Sequence, residues 1–163
     1  MEYGEIVSMP ETERAIRTAL QSAQKLANSR VDHVIACISG GSPRSYGLEG
    51  TVDIKTGIVD DNDIADVLGS CGIPAYGSDR EVLHAQPVNF SLDHRTGLSD
   101  PRGQIGKKLS VDMHMLTVKE KTIHDLAYCL KRCDLELAGV ASASDASARS
   151  SLVDVDKVVG AAG

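Results

Sequence analysis

Two stretches of strict alternation bracket a glycine- and proline-rich connection near the middle of this chain, and they restrict its fold more than any other feature. In EVLHAQPVNFSLD, Val88, Phe90 and Leu92 alternate with polar neighbours; in KLSVDMHMLTV, Leu109, Val111, Met113 and Met115 alternate with Ser110, Asp112 and His114. A period of two puts every second side chain on one face, so both segments are predicted strands, paired antiparallel with one face buried. Pro87 cannot donate to a ladder, which places its strand at a sheet edge or at a bulge.

The connection, GLSDPRGQIGKK (97–108), resembles a phosphate loop only in composition. A P-loop needs G-x-x-x-x-G-K-[ST] between a strand and a helix N-terminus, so that backbone amides and the helix dipole converge on phosphate. Here no such frame exists, and a strand follows instead of a helix. SGGSPRSYG fails in the same way. The connection is therefore a turn in which Gly97, Gly103 and Gly106 offer positive φ and Pro101 stiffens the path. Arg95, Arg102, Lys107 and Lys108 nonetheless gather positive charge there, in a chain of net charge −6. A solvated charge run is the plain explanation; a docking patch for an acidic partner segment is the functional one.

Cover for the buried face comes from helices. Ser8-Met9-Pro10-Glu11 has the form of a capping box, and Ile16, Ala19, Leu20, Ala23 and Ala27 recur at helical spacing, predicting an amphipathic helix over 9–27. Residues 34–38 are apolar without alternation, as in a strand buried on both faces. A short strand is predicted over 50–55, after the loop SPRSYGLE. Asp60 or Asp61 then caps a helix carrying Ile64, Val67, Leu68 and Cys71, stopped by Gly72 and Pro74. Ile123, Leu126, Ala127, Leu130 and Cys133 mark a third helix. A strand over about 135–141, an alanine-rich helix through ASASDASARSSLV and a remnant, DKVVGAAG, complete the chain.

Composition removes several function classes. With aromatic content of 3% and no Trp, base-stacking platforms are missing, and the acidic balance lacks the basic stripe that binds nucleic acid. No apolar run reaches the length of a membrane span, and the start has no signal-peptide pattern. A cytoplasmic location with reduced Cys37, Cys71, Cys129 and Cys133 is expected. Cys129 and Cys133 are i,i+4 and could share a metal, but only His124 lies near them, so core-facing thiols are the expectation. His84, His94 and His114 are scattered, although His84 and His114 could approach each other on the paired strands. No nucleophile elbow is present, and the carboxylates at 60, 61 and 63 suit helix capping. No catalytic, cofactor-binding or metal-ligating residues are assigned.

The ordered series ERAIRTALQSAQKLA, VDHVIACISGG, REVLHAQPVNFSLDHRTGLSDPRGQIGKKLSVDMHMLT and LAYCLKRCDLELAGVASAS resembles the FtsA family of bacterial cell-division proteins, in its alphaproteobacterial form. The most specific elements are His84–Pro87, Phe90, Asp93, Gly97, Asp100-Pro101, Gly103, Gly106, Leu109, His114 and Thr117. The resemblance implies an α/β (α+β) chain in which a strand–helix–strand–strand subdomain, 1C (42–118), is inserted in a partial actin-like, ribonuclease H-like subdomain 1A (1–41 and 119–163). It implies a non-enzymatic division adaptor that binds other division proteins: FtsA itself, a late FtsN-like protein, and FtsZ through the full-length protein. It also implies head-to-tail self-association through 1C, and an exposed edge strand with an incomplete 1A makes a homodimer a further expectation.

The family's ATP and magnesium are held by phosphate loops with no matching positions here, so no cofactor is expected in this chain. Direct membrane contact is not expected either, although the full-length family works at the cytoplasmic face of the inner membrane at the division site. Rival readings are an actin-like ATP-binding protein whose site another chain completes, a PilM-like pilus-assembly adaptor, and a small metal or redox protein using Cys129 and Cys133. The residues expected to meet a partner are Asp79, Arg95, Leu98, Arg102, Lys107 and Lys108.

Overall fold

A computed structural model describes residues 4–151, and the closing DKVVGAAG lies outside the described residues. The chain order is α1 (Met9–Ala27), β1 (His33–Ile38), β2 (Arg44–Asp53), α2 (Asp61–Ser70), β3 (Arg80–Leu92), β4 (Arg95–Leu98), β5 (Lys108–Lys119), α3 (Glu120–Arg132), β6 (Glu136–Ser142) and α4 (Ala143–Ser151). The fold is mixed α/β, and it divides into two compact units. One is residues 43–117; the other is assembled from the segments on both sides of it. No helix among the described residues is long and apolar enough to cross a membrane.

The 43–117 unit is a four-stranded sheet in the order β2-β5-β3-β4 with α2 on one face. The alternating strands β3 and β5 are neighbours, as their period of two requires. Along β5 alternate positions separate a polar face from an apolar one, and Phe90 and Leu92 of β3 join it, so that Ile54, Val59, Phe90, Leu92, Leu109 and Val111 meet Ile64 and Val67 of α2, whereas Val88, expected on the same buried face, is 64% exposed. The helix starts where expected. Asp60 accepts from the Asn62 and Asp63 amides while Asp63 accepts from the Asp60 amide, a reciprocal capping box.

Three further expectations in this unit need correction. β2 is longer than the predicted 50–55 strand, because SPRSYGLE is mostly strand: Arg44 to Asp53 pair antiparallel with Thr117 to Lys108 without a break. The connection between β3 and β5 is more than a turn, since Arg95–Leu98 folds back on the Phe90–Leu92 end of β3 as a short edge strand. Gly97 and Gly103 do hold positive φ, but Gly106 does not. Its role is close approach: a Cβ there would lie 2.5 Å from Leu92 Cδ1, and Leu92 is fully buried.

In the flanking unit β1 and β6 form a two-stranded parallel sheet. Val34 and Leu137 pack with Ile16, Leu20 and Leu126 around Leu130, Cys133 and Leu135. The expectation that residues 34–38 are buried on both faces is not met: burial alternates along β1, and Ile35 is 72% exposed. α1 and α3 pack on the face that carries Val34 and Leu137, so the apolar run fills that side, while Ile35 and Cys37 on the other are exposed. At the start of α1, Ser8 gives no side-chain cap, and its carbonyl accepts the Thr12 amide. Cys129 and Cys133 are buried, as expected of core thiols. Cys129 Sγ donates to Met9 Sδ at 3.1 Å and Cys133 Sγ to the Glu13 carbonyl at 3.6 Å, and burial pushes the Cys129 thiol pKa up.

Candidate protein-docking site

The connection between β3 and β5 is built around two aspartates. Asp93 sits in a left-handed conformation (φ 54°) directly after β3, where its carboxylate accepts from the Lys107 amide at 3.1 Å and the Lys108 amide at 3.0 Å. Asp100 accepts from the Arg102 amide at 3.1 Å and from Arg102 Nη1 at 3.0 Å. Arg102 Nε also donates to Asp61 at the start of α2, at 2.7 Å. Pro101, fully buried, anchors the same loop. The loop is thus a held structure and its charges are partly committed.

That arrangement sorts the expected partner residues. Arg102 is a clamp between loop and helix whose single charge is shared by the carboxylates of Asp61 and Asp100, so the three together are net negative and offer no positive charge to a partner. Leu98 is half-buried against the core and is not presented. Asp79 precedes β3, while the loop follows it; a strand from Arg80 to Leu92 puts them about 40 Å apart along the sheet. Arg95, Lys107 and Lys108 do come together. Arg95 Nη2 donates to the Ile105 carbonyl at 2.9 Å, and the Lys107 carbonyl accepts from the Ile54 amide at 2.7 Å, bringing Lys55 alongside. Lys55, Lys107 and Lys108 are exposed and have no acidic side-chain partner among the described residues.

Two residues that the sequence did not single out complete the surface. Ile58 and Ile105 form an antiparallel bridge, flanked by hydrogen bonds from the Val59 amide to the Gln104 carbonyl (3.0 Å) and from the Gly106 amide to the Gly57 carbonyl (3.1 Å). Both side chains are exposed, Ile105 by 77%. An apolar pair in a collar of unpaired ammonium groups suits an acidic segment with an aliphatic anchor.

The acids here set a pH response. Amide donors hold the carboxyls of Asp60 (from Asp63 first), Asp93 (from Lys107 first) and Asp100 (from Arg102 first) below the ordinary range. Lowered folded-state values mean the carboxylates favour the native state above the unfolded-state pKa, about 3.9, and that this contribution disappears as pH falls through the folded values. Thermal unfolding should therefore be insensitive to these groups near neutrality and show a falling midpoint below about pH 4. Asp93→Asn should flatten that acid limb; an unchanged limb would show that the Lys107 and Lys108 amides do not favour the charged form.

The strand–helix–strand–strand order of β2, α2, β3 and β5, with β4 as an added edge, defines the class of this unit. Residues 40–117 match the model for the SHS2 domain inserted in FTSA. Similarity continues on both sides of that domain: the chain is 33% identical over 159 residues to the cell division protein FtsA of Rhizobium meliloti, 31% to that of Agrobacterium fabrum, and 21% over 160 residues to that of Escherichia coli K12. Each alignment covers 98% of this chain and 36–38% of the relative. The chain is thus similar to FtsA cell-division proteins along nearly its whole length, and it spans little more than a third of the length of the curated relatives it matches.

Proposed function

We propose that this chain is a non-enzymatic docking module of the cell-division apparatus, working in the cytoplasm, whose SHS2 unit takes an acidic segment of another division protein on the Ile58–Ile105 surface. The observation that carries the reading is that exposed apolar pair beside Lys55, Arg95, Lys107 and Lys108, on a chain of the opposite net charge. The partners in this reading are a late FtsN-like division protein and, through the full-length protein, FtsZ. The chemistry asked of a partner is narrower: carboxylates around one or two aliphatic side chains. No catalytic step and no bound cofactor is needed for this role.

The test is recruitment in dividing alphaproteobacterial cells. A fluorescent fusion of the chain is expected to form a midcell band, and Lys107→Glu with Lys108→Glu to reduce it about tenfold, with Ile105→Ser producing a comparable loss. Arg102 is a poor probe, because reversing it would unclamp the loop from α2. A band indifferent to all three substitutions, in fusions of equal abundance, would sink the proposed surface. Diffuse fluorescence from the parent fusion would remove the claim that the chain suffices for recruitment.

A further inference from the structure

We propose that Met9, Cys129 and Cys133 form a three-sulfur site for a soft monovalent cation, Cu(I), where α1 meets α3. This goes beyond the docking reading and uses only the flanking unit.

Along the chain only His124 lies near the two thiols, and it is exposed, with Nε2 3.6 Å from Glu120. The fold supplies a different third donor. Met9, 120 residues from Cys129, opens α1, and its Sδ stands 3.1 Å from Cys129 Sγ. Four residues further along both segments, Cys133 Sγ meets the Glu13 carbonyl at 3.6 Å, so α1 runs beside both thiols. Residues at i and i+4 share a helix face with Cβ atoms about 5–6 Å apart, within the span of a single ion. The proton that Cys129 donates to Met9 marks the place the ion would take. A metal–sulfur bond of about 2.3 Å sets two sulfurs on one ion about 4 Å apart, so Met9 and Cys129 need to part by about 1 Å. Both thiols are buried, whereas Met9 is half-buried at the start of its helix, and its flexible thioether gives an ion a way in from solvent.

The donor set chooses the ion. Thiolate and thioether sulfur are soft and select Cu(I), whereas a structural zinc site is closed by four ligands drawn from Cys, His and carboxylates. Among the described residues no third His, Cys, Asp or Glu closes on this pair of thiols. Burial, and after it Glu13, push the Cys129 thiol up, so it holds its proton at neutral pH until a metal displaces it. As the two copper–thiolate bonds form, each thiol releases its proton to solvent and no electron is transferred. The ion then supplies positive charge beside Glu13 and Asp125, which oppose a bare thiolate there, while Arg132 favours it. A reducing compartment keeps the thiols available for this. An ion so held ties the first turn of α1 to the end of α3, and it stabilises the flanking unit by binding the folded form.

Anaerobic Cu(I) titration against a chromogenic chelator tests the site in a Cys37→Ser, Cys71→Ala background, which removes the other two thiols. The chain should take up one ion, with thiolate-to-copper absorption in the ultraviolet and a raised melting temperature. Met9→Leu, close in volume and apolar, should weaken uptake about tenfold while circular dichroism stays native. Cys133→Ala should weaken it at least a hundredfold. Uptake indifferent to Met9→Leu would overturn the three-sulfur assignment. Buried thiols that take up no ion, or equal uptake after Cys129→Ala with Cys133→Ala, would overturn the site itself. Equal stabilisation by Zn(II) would overturn the choice of ion. None of these results bears on the docking surface, because Lys107→Glu and Lys108→Glu are read by recruitment and not by metal content.

Discussion

Leu92→Ala should destabilise the SHS2 unit by about 3–5 kcal/mol, close to the whole stability of many domains of this size. Leu92 is fully buried and sits at the centre of the cluster that joins Phe90, Leu109 and Val111 of the sheet to Ile64 and Val67 of α2. The backbone at Gly106 presses directly against its side chain, so the loop wall is formed by main chain and cannot collapse easily into the space left by truncation. A site that relaxes little retains its cavity, which puts the cost in the upper part of the leucine-to-alanine range. Urea unfolding followed by circular dichroism would measure it, with Val82→Ala as the comparison. Val82 lies on the same strand but is 41% exposed, and its truncation should cost under about 1 kcal/mol. Comparable losses at the two positions would contradict the assigned core.

Gly50→Val should be nearly as damaging for the opposite reason. Gly50 lies on β2 directly beneath the C-terminal turn of α2, and a Cβ there would stand 2.5 Å from the Val67 carbonyl oxygen, 2.6 Å from Ser70 Oγ and 2.7 Å from Cys71 Sγ. The first of these is backbone, so no rotamer change relieves the contact. The helix would have to lift from the sheet, withdrawing Val67 and Leu68 from the core. An overpacking cost of about 3 kcal/mol is expected. Gly47→Val, on the same strand with nothing within 4 Å of its Cβ, should be neutral or slightly stabilising, since a β-branched side chain replaces glycine in an extended backbone. Melting temperatures of the two variants at one protein concentration decide the matter. A tolerated Gly50→Val would mean that α2 does not rest on β2 as described.

The sequence made some of this legible and hid the rest for identifiable reasons. Helices α1, α2 and α3 were visible because each buries one stripe, and the Asp60 cap was visible because its geometry depends on residues three apart. β5 and the Phe90–Leu92 end of β3 are visible because one face is dry and the other wet, but Val88, which continues the alternation in sequence, is exposed. The first half of β2 was not: Arg44, Ser45 and Gly47 are exposed, and they are held in the strand by backbone pairing with β5, which leaves no trace in hydropathy. β1 is less buried than its composition implies, since an apolar run does not state how many of its faces are covered. At the candidate site, charge alone grouped Arg102 with Arg95, Lys107 and Lys108, yet Asp61 and Asp100 had already taken it. Ile58 and Ile105 were invisible as a pair because only the fold brings them together.

The ends of the SHS2 unit lie side by side: Arg44 faces Thr117 across the first rung of the β2–β5 ladder, and outside it the Lys119 amide donates to the Gly41 carbonyl at 2.8 Å. For the flanking segments, residues 42–118 are therefore a loop whose closure, if left to chance, would cost about 4 kcal/mol from chain entropy. Once the inserted unit has folded by itself, that closure is already accomplished, and two stretches far apart in sequence behave as kinetic neighbours. Folding should proceed from the inside outward, with assembly of β1 on β6 waiting for the insert. Damage at Leu92 or Gly50 would then slow maturation of the flanking segments as well.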